Sequence, residues 1–321
     1  MIPLPVSTPH RRFPTRLYLR PNNPNTRLLL LLLFLSISLF FNVLHYSFSS
    51  SSNVVPSPSL LATVTRDKSP ELLSHLIIVP CHAVWVGMDP NLRLSEDQWL
   101  LEPYQMGSGR LAAFFAHISK GVELAVRDKH ALLIFSGGQT KKASTTTEAE
   151  SYLRLALSSN IASTLAVPGD GHIRATTENY ALDSYQNLLF SIARFYEYTG
   201  HFPDGITLIG YEFKRQRFEE LHRAAIRWPI DRFHYIGVDG EIKDHFIAHQ
   251  GEFENGYIPY LKDLYGCHSF LASKRRRRNP HLRFPPYIHS TPHLAFLLNW
   301  CPGPTEKGAS TIFAGDLPWD H

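Results

Sequence analysis

Residues 131–138 read ALLIFSGG: five apolar residues, a serine and two glycines. A short run that is apolar at every position has no polar side to turn to water. It therefore fits a strand covered on both faces, as strands of a parallel sheet are. The glycine pair then ends it, because the backbone there can turn without a side chain in the way. Three further runs have the same form: 76–80 (LIIVP), 205–210 (GITLIG) and 233–238 (FHYIGV). Ser163–Val167 is a weaker fifth candidate. Between the runs lie helical patterns. Leu111, Phe114, Phe115, Ile118, Val122 and Ala125 recur at helical spacing, as do Ala181, Tyr185, Leu188, Ile192 and Phe195, and then Phe218, Leu221, Ala225 and Trp228. Strands alternating with helices predict an α/β fold of βαβ units, with a mainly parallel sheet of about five strands and helices on both faces. Ligands of such sheets sit beyond the carboxyl ends of the strands.

That rule selects among the polar residues. Ser136, Gly137 and Gly138 follow a strand directly, where successive N–H groups can form an anion-binding concavity, or simply a tight turn. Glu148 follows three threonines at the start of the next helix. It is a candidate acid or base, although an acid there is also stabilised by the helix dipole alone. Thr176, Thr177, Glu178 and Asn179 precede the helix that contains Ala181; one threonine is expected to cap it, Thr177 and Asn179 are candidate ligand donors, and Glu178 is, like Glu148, a candidate acid or base. Lys214 and Arg217 lie three apart after the third long run, near a helix start. Cations there oppose the dipole unless they face an anion. His82 follows the first run and is a candidate acid or base, or a core histidine bonded to backbone. Its neighbour Cys81 reads as a small buried hydrophobe.

The 321 residues hold 32 Lys+Arg against 28 Asp+Glu. Six of the arginines lie in residues 1–66, which contain no acid, leaving 26 basic against 28 acidic residues beyond them. A body of that balance is not built to coat nucleic acid, and 44% hydrophobic residues exclude a disordered one. Residues 28–44 are apolar and uncharged, with five arginines before them and no formal charge from 45 to 65. By the positive-inside rule this predicts a basic cytosolic leader (1–27), a signal anchor (28–44) and a flexible stalk (45–70) rich in Ser and Pro. A cleaved signal and a transit peptide with a mitochondrial destination are the alternatives. Seventeen residues is a short span, which suits the thinner membranes of the endoplasmic reticulum or Golgi. An α/β domain is expected over 71–271. A basic, Pro- and His-rich tail is expected over 272–321, its KRRRR run (274–278) reading as a solvated loop, with an anion-binding strip or a lumenal processing site as the alternatives.

Other motifs lack their context. Gly107, Gly109 and Ala112 fit a dinucleotide fingerprint but leave no strand. His245 and His249 lack the HExxH glutamate, and no metal site is expected. Cys267 and Cys301 could pair in an oxidising lumen, and the sequence leaves that pairing open.

Taken in order, these signals resemble the domain of unknown function 218 family, the YdcF/SanA/ElyC type. The matching elements are Leu76–Pro80, Arg110, Ser136-Gly137-Gly138, Glu148-Ala149, Thr177-Glu178-Asn179 and Phe213-Lys214 with Arg217, spread over about residues 75–240. Two elements depart from the family pattern. Pro80-Cys81-His82-Ala83 stands where a glycine-rich loop is usual, and Lys214 stands where a histidine is usual. The resemblance implies a Rossmann-like three-layer sandwich with a polar pocket, often membrane-tethered. It also implies an S-adenosylmethionine-like or phosphorylated, nucleotide-like ligand, with Arg110 among the binding residues. The expected function is that of a single-pass endomembrane protein whose lumenal domain binds an anionic small molecule, possibly with hydrolase or transferase activity. The alternative is a non-catalytic scaffold.

Overall fold

A computed structural model describes residues 24–48, 69–107, 109–166, 173–240, 245–303 and 311–321. The chain divides into two units, Met1–Thr65 and Arg66–His321. In the first, helix α1 (Pro24–Phe48) contains an apolar stretch, Pro24–Leu44, of mean hydropathy 2.3. At 1.5 Å per residue its 21 residues span about 31 Å, enough to cross a bilayer core. The helix thus starts four residues before the uncharged run 28–44, and those four include Arg27. The leader to residue 23 and most of the stalk, 49–68, lie outside the described residues.

The second unit is built on strands β1 (His75–Pro80), β4 (Ala131–Ser136), β5 (Ala175–Glu178), β6 (Gly205–Gly210) and β7 (Phe233–Gly237). All pair in parallel, in the order β5-β4-β1-β6-β7. A short antiparallel pair, β2 (Val84–Trp85) and β3 (Trp99–Leu100), lies outside this sheet. Strand order runs outward from β1 in one direction and then in the other, so the order reverses beside β1. This is the Rossmann-like arrangement, whose crevice opens at the carboxyl ends of β1 and β6.

Side-chain alternation divides the core. Ile77, Val79, Leu133 and Phe135 face α2 (Arg110–Arg127) and α3 (Glu148–Ser158), meeting Phe114, Ile118 and Tyr152. Leu76, Ile78, Leu132 and Ile134 face α4 (Ser184–Thr199) and the segment 217–225, meeting Leu188, Ile192 and Phe218. That segment is a π-helical stretch, Arg217–His222, running into α5 (Arg223–Ala225). Helices α6 (His245–Glu252) and α7 (Ile258–Lys262) flank a second π-helical stretch, Phe253–Tyr257, and α8 (Ser269–Arg277) follows.

Three expectations are corrected. The fifth strand is β5 and not Ser163–Val167. There, Ala162 and Leu165 are buried and Ser163 and Thr164 exposed, a period of three that folds as a 3-10 turn over Ala162–Leu165; Val167 lies outside the described residues. No threonine of 176–179 caps α4. Asp183 does, accepting from the Gln186 amide at 2.9 Å. Residues 272–321 are no loose tail: Tyr287, Leu294, Phe313 and Trp319 are buried in the same core as α4. A disulfide between Cys267 and Cys301 joins this segment to the chain before α8. The segment folds back because its aromatic residues need cover, and the α4 face of the sheet supplies it.

Candidate functional site

A cavity of about 600 Å³ opens at the carboxyl ends of β1 and β6, within the usual size of a small-molecule site. Five of the residues singled out in the sequence line it: His82, Arg110, Glu148, Lys214 and Arg217. They come from four places in the chain. His82 leaves β1, Arg110 opens α2 and Glu148 opens α3, whose N-cap Thr147 accepts from the Glu150 amide at 2.9 Å. Lys214 and Arg217 follow β6 through a 3-10 turn over Glu212–Lys214.

The cationic wall is only partly neutralised. Arg217 is paired with Glu252 at 3.1 Å, both nearly buried. Gly256 makes room for the pair: a β-carbon there would lie 2.3 Å from an Arg217 nitrogen and 2.6 Å from a Glu252 oxygen. Lys214 is half-buried with Nζ 5.2 Å from the centre of the Tyr211 ring, and no carboxylate among the described residues pairs with it. Burial, then the Arg217 guanidinium, lowers its pKa to about 7. Arg110 stands over the rings of Tyr104 and Tyr211, each at 5.7 Å.

Rings form the floor. His82 stacks on Tyr211 at 5.3 Å, and Tyr211 on Phe213 at 4.8 Å. His117 meets Tyr211 edge-on at 4.9 Å and bonds the Val238 carbonyl through Nε2 at 2.6 Å. Burial lowers the His117 pKa to about 4. Burial, reinforced by Lys214, holds His82 well below the usual histidine range, so it is neutral at physiological pH, and its Nε2 has no partner among the described residues. Glu148 takes a hydrogen bond from Thr140 Oγ1, and burial raises its pKa. Burial also pushes the Cys81 thiol up, as suits a small core residue rather than a thiolate nucleophile.

The other candidates are not brought into the cavity. Glu178 is fully buried and saturated: it accepts from Ser136 Oγ at 2.7 Å, from the Tyr180 amide at 2.7 Å, from the Ala181 amide at 3.2 Å and from the Tyr287 hydroxyl at 3.0 Å. Asn187 donates to both oxygens of Ser136. The amides of Gly137 and Gly138 are taken by the carbonyls of Glu178 and Ala181, so they form no anion nest. Glycine is needed there for closeness, since a β-carbon on Gly138 would lie 2.8 Å from the Ala181 carbonyl oxygen. Thr177 lies in β5, its carbonyl bonded by Arg194. Asn179 accepts from the α3 cap Thr147 at 2.8 Å. This group locks β4 to β5 and is structural.

Three lining cations were not singled out as site residues. Lys141 is paired with Glu102, and Lys274 and Arg278 reach the cavity from α8 and its C-cap, in the basic run read first as a solvated loop and alternatively as an anion-binding strip. Arg275 between them turns to Asp183 in an ion pair, and only Arg276 and Arg277 are exposed. Arg278 bonds the Leu182 carbonyl at 3.0 Å and Lys274 the Asn255 carbonyl at 2.9 Å. The spacing of four between Lys274 and Arg278 is the signal that places both on one helical face. Among the described residues, Cys267, His268 and Cys301 are grouped closely enough to share an ion, but the two sulfurs are bonded to each other.

The chain is similar to a protein of Saccharomyces cerevisiae (strain ATCC 204508 / S288c) described as "Uncharacterized protein YOR238W", at 33% identity over 264 residues, 67% of this chain and 86% of the yeast protein. No family model matches the chain, and no solved structure gives a significant match.

Proposed function

This chain belongs to the family of the yeast protein YOR238W, and on that premise we propose that its α/β domain binds an anionic, phosphate-containing or nucleotide-like small molecule. One observation carries the reading. Arg110, Lys141, Lys214, Arg217, Lys274 and Arg278 converge on a single cavity where the strand order reverses, and among the described residues Lys141 and Arg217 alone of these six have a carboxylate partner. Like charges gathered in a half-buried site destabilise the empty pocket, and an anion removes that cost. The resemblance to the domain of unknown function 218 proteins supports the same reading in part, since three residues of the resembling motifs, Arg110, Glu148 and Arg217, line the cavity.

If the ligand is turned over, the reaction class is hydrolysis or group transfer. Glu148, whose burial favours the protonated carboxyl, is the general acid, and the neutral imidazole of His82 is the base. The domain lies in the lumen of the endoplasmic reticulum or Golgi, with α1 as the anchor. The Cys267–Cys301 bridge supports an oxidising compartment, and the arginines before the apolar run support a cytosolic N-terminus.

The test is thermal unfolding of the full chain in detergent with inorganic pyrophosphate, ATP or S-adenosylmethionine. Pyrophosphate is expected to raise Tm by several degrees, because a ligand bound only to the native state stabilises it, and Arg110→Gln is expected to remove most of the rise. A flat response from folded protein overturns the reading in favour of a scaffold.

A further inference from the structure

Lys214 and Lys274 line the same cavity, yet their amines are held differently. Lys274 donates to the Asn255 carbonyl at 2.9 Å. Lys214 Nζ has neither an ion-pair carboxylate nor a hydrogen-bond acceptor among the described residues. It lies on the Tyr211 ring at 5.2 Å, in a cavity also lined by Arg110, Arg217 and Arg278. An ammonium normally needs acceptors for its three protons, and one held among guanidinium groups without them is better off as the free amine. Arginine does not lose its proton, so in such a cluster the lysine is the group that does. A free amine in a pocket with permanent cations is a nucleophile with an anion-binding frame around it.

We propose that Lys214 is an imine-forming amine, and that the ligand it meets is an anion carrying an aldehyde or ketone, such as a sugar phosphate or a 2-oxo acid. This rests on the anion-binding reading and narrows it. The Nζ lone pair forms a bond to the carbonyl carbon as the carbon–oxygen π pair moves to oxygen, which takes up a proton. The resulting carbinolamine then loses the hydroxyl with a second proton as water, leaving the carbon–nitrogen double bond. Amine plus carbonyl gives imine plus water, with no oxidant or reductant needed. The arginines hold the anionic group, and Glu148, on the same cavity and with its pKa raised by burial, is the carboxyl placed to relay a proton to the leaving hydroxyl. The lowered pKa of Lys214 agrees with this arrangement.

The probe is pyridoxal 5′-phosphate, an aldehyde with a phosphate, added to the full chain in detergent at neutral pH. Borohydride reduces any imine to a stable amine, and the modified lysine is located by peptide mass mapping. Lys214 is expected to be labelled at least tenfold faster than Lys274 and than the exposed lysines, with pyrophosphate suppressing the label. Labelling that follows exposure alone, or that favours Lys274, overturns the assignment. Lys214→Gln is expected to lose the fast label. Should that variant fail to fold, the label map of the native chain still decides. Pyrophosphate stabilisation without labelling of Lys214 overturns the imine and leaves the anion site standing. Fast labelling of Lys214 that pyrophosphate neither suppresses nor accompanies with a Tm rise overturns the anion site instead.

Discussion

Two polar clusters stand at the carboxyl end of the same sheet, and they differ in how far their hydrogen bonds are satisfied. At β4 and β5, the buried Glu178 carboxylate collects donors from Ser136, Tyr180, Ala181 and Tyr287, and Asn187 closes the group from α4. At β1 and β6, His82 Nε2 and Arg110 Nε are buried without partners among the described residues, and Lys214 has no counter-ion there. Buried polar groups that leave nothing unpaired rigidify a fold. Those left unpaired lower its stability unless a ligand completes them. Residue types alone would have ranked the two clusters equally, and satisfaction separates them.

Three experiments act on that contrast. Glu178→Ala strips the locked corner of the acceptor shared by two hydroxyls and two amides, and should lower unfolding free energy by roughly 3–5 kcal/mol in chemical denaturation. A loss below about 1 kcal/mol would mean that the corner is not holding the strands together.

The corners also respond to acid with opposite sign. Burial raises the Glu178 pKa in the folded chain, so its contribution is whole below the ordinary value of 4.5 and fades as pH rises through the folded value. Burial lowers the His117 pKa from 6.5 to about 4, so its contribution is whole above 6.5 and is lost as pH falls toward 4. Lowering the pH from 7 to 4.5 should therefore cost the native chain about 2–3 kcal/mol through His117. His117→Gln should lose correspondingly less. Equal losses in the two proteins would show that His117 is not kept neutral under the pocket.

The smallest effect has the least familiar direction. Removing the charge at Lys214 should stabilise the empty protein. Its folded pKa near 7, below the ordinary 10.5, means that holding the ammonium works against the native state at neutral pH. Lys214→Gln should gain about 1–2 kcal/mol at pH 7, once solvent screening of a half-buried amine is allowed for, and the gain should shrink toward pH 10. A destabilised variant at pH 7 would show that Lys214 has a partner in the resting protein.

The long apolar runs were readable as strands because a strand covered on both faces has nowhere to put a polar residue, as in 76–80 and 131–136. Strand β5 escaped for the converse reason. Ala175-Thr176-Thr177-Glu178 is an edge strand with one apolar residue, and its role depends on pairing with β4 and on the Tyr287 hydroxyl from far along the chain. Glu178 was legible as a candidate acid or base, but its burial, and the four protein donors that saturate it, were not.

Composition and periodicity by themselves determined the apolar N-terminal helix and the alternation of strands and helices, because each follows from burial along a local repeat, and the sheet rule named the end at which the cavity opens. Tertiary structure alone decided which polar residues share the cavity. It turned Lys274 and Arg278 inward while Arg275 met Asp183, and it brought Tyr287, Leu294, Phe313 and Trp319 into the core. Those outcomes depend on contacts between residues up to about a hundred positions apart, such as Arg278 with Leu182 and Tyr287 with Glu178. No local pattern encodes which of several equivalent cations finds the buried carboxylate, and which is left without one among the described residues.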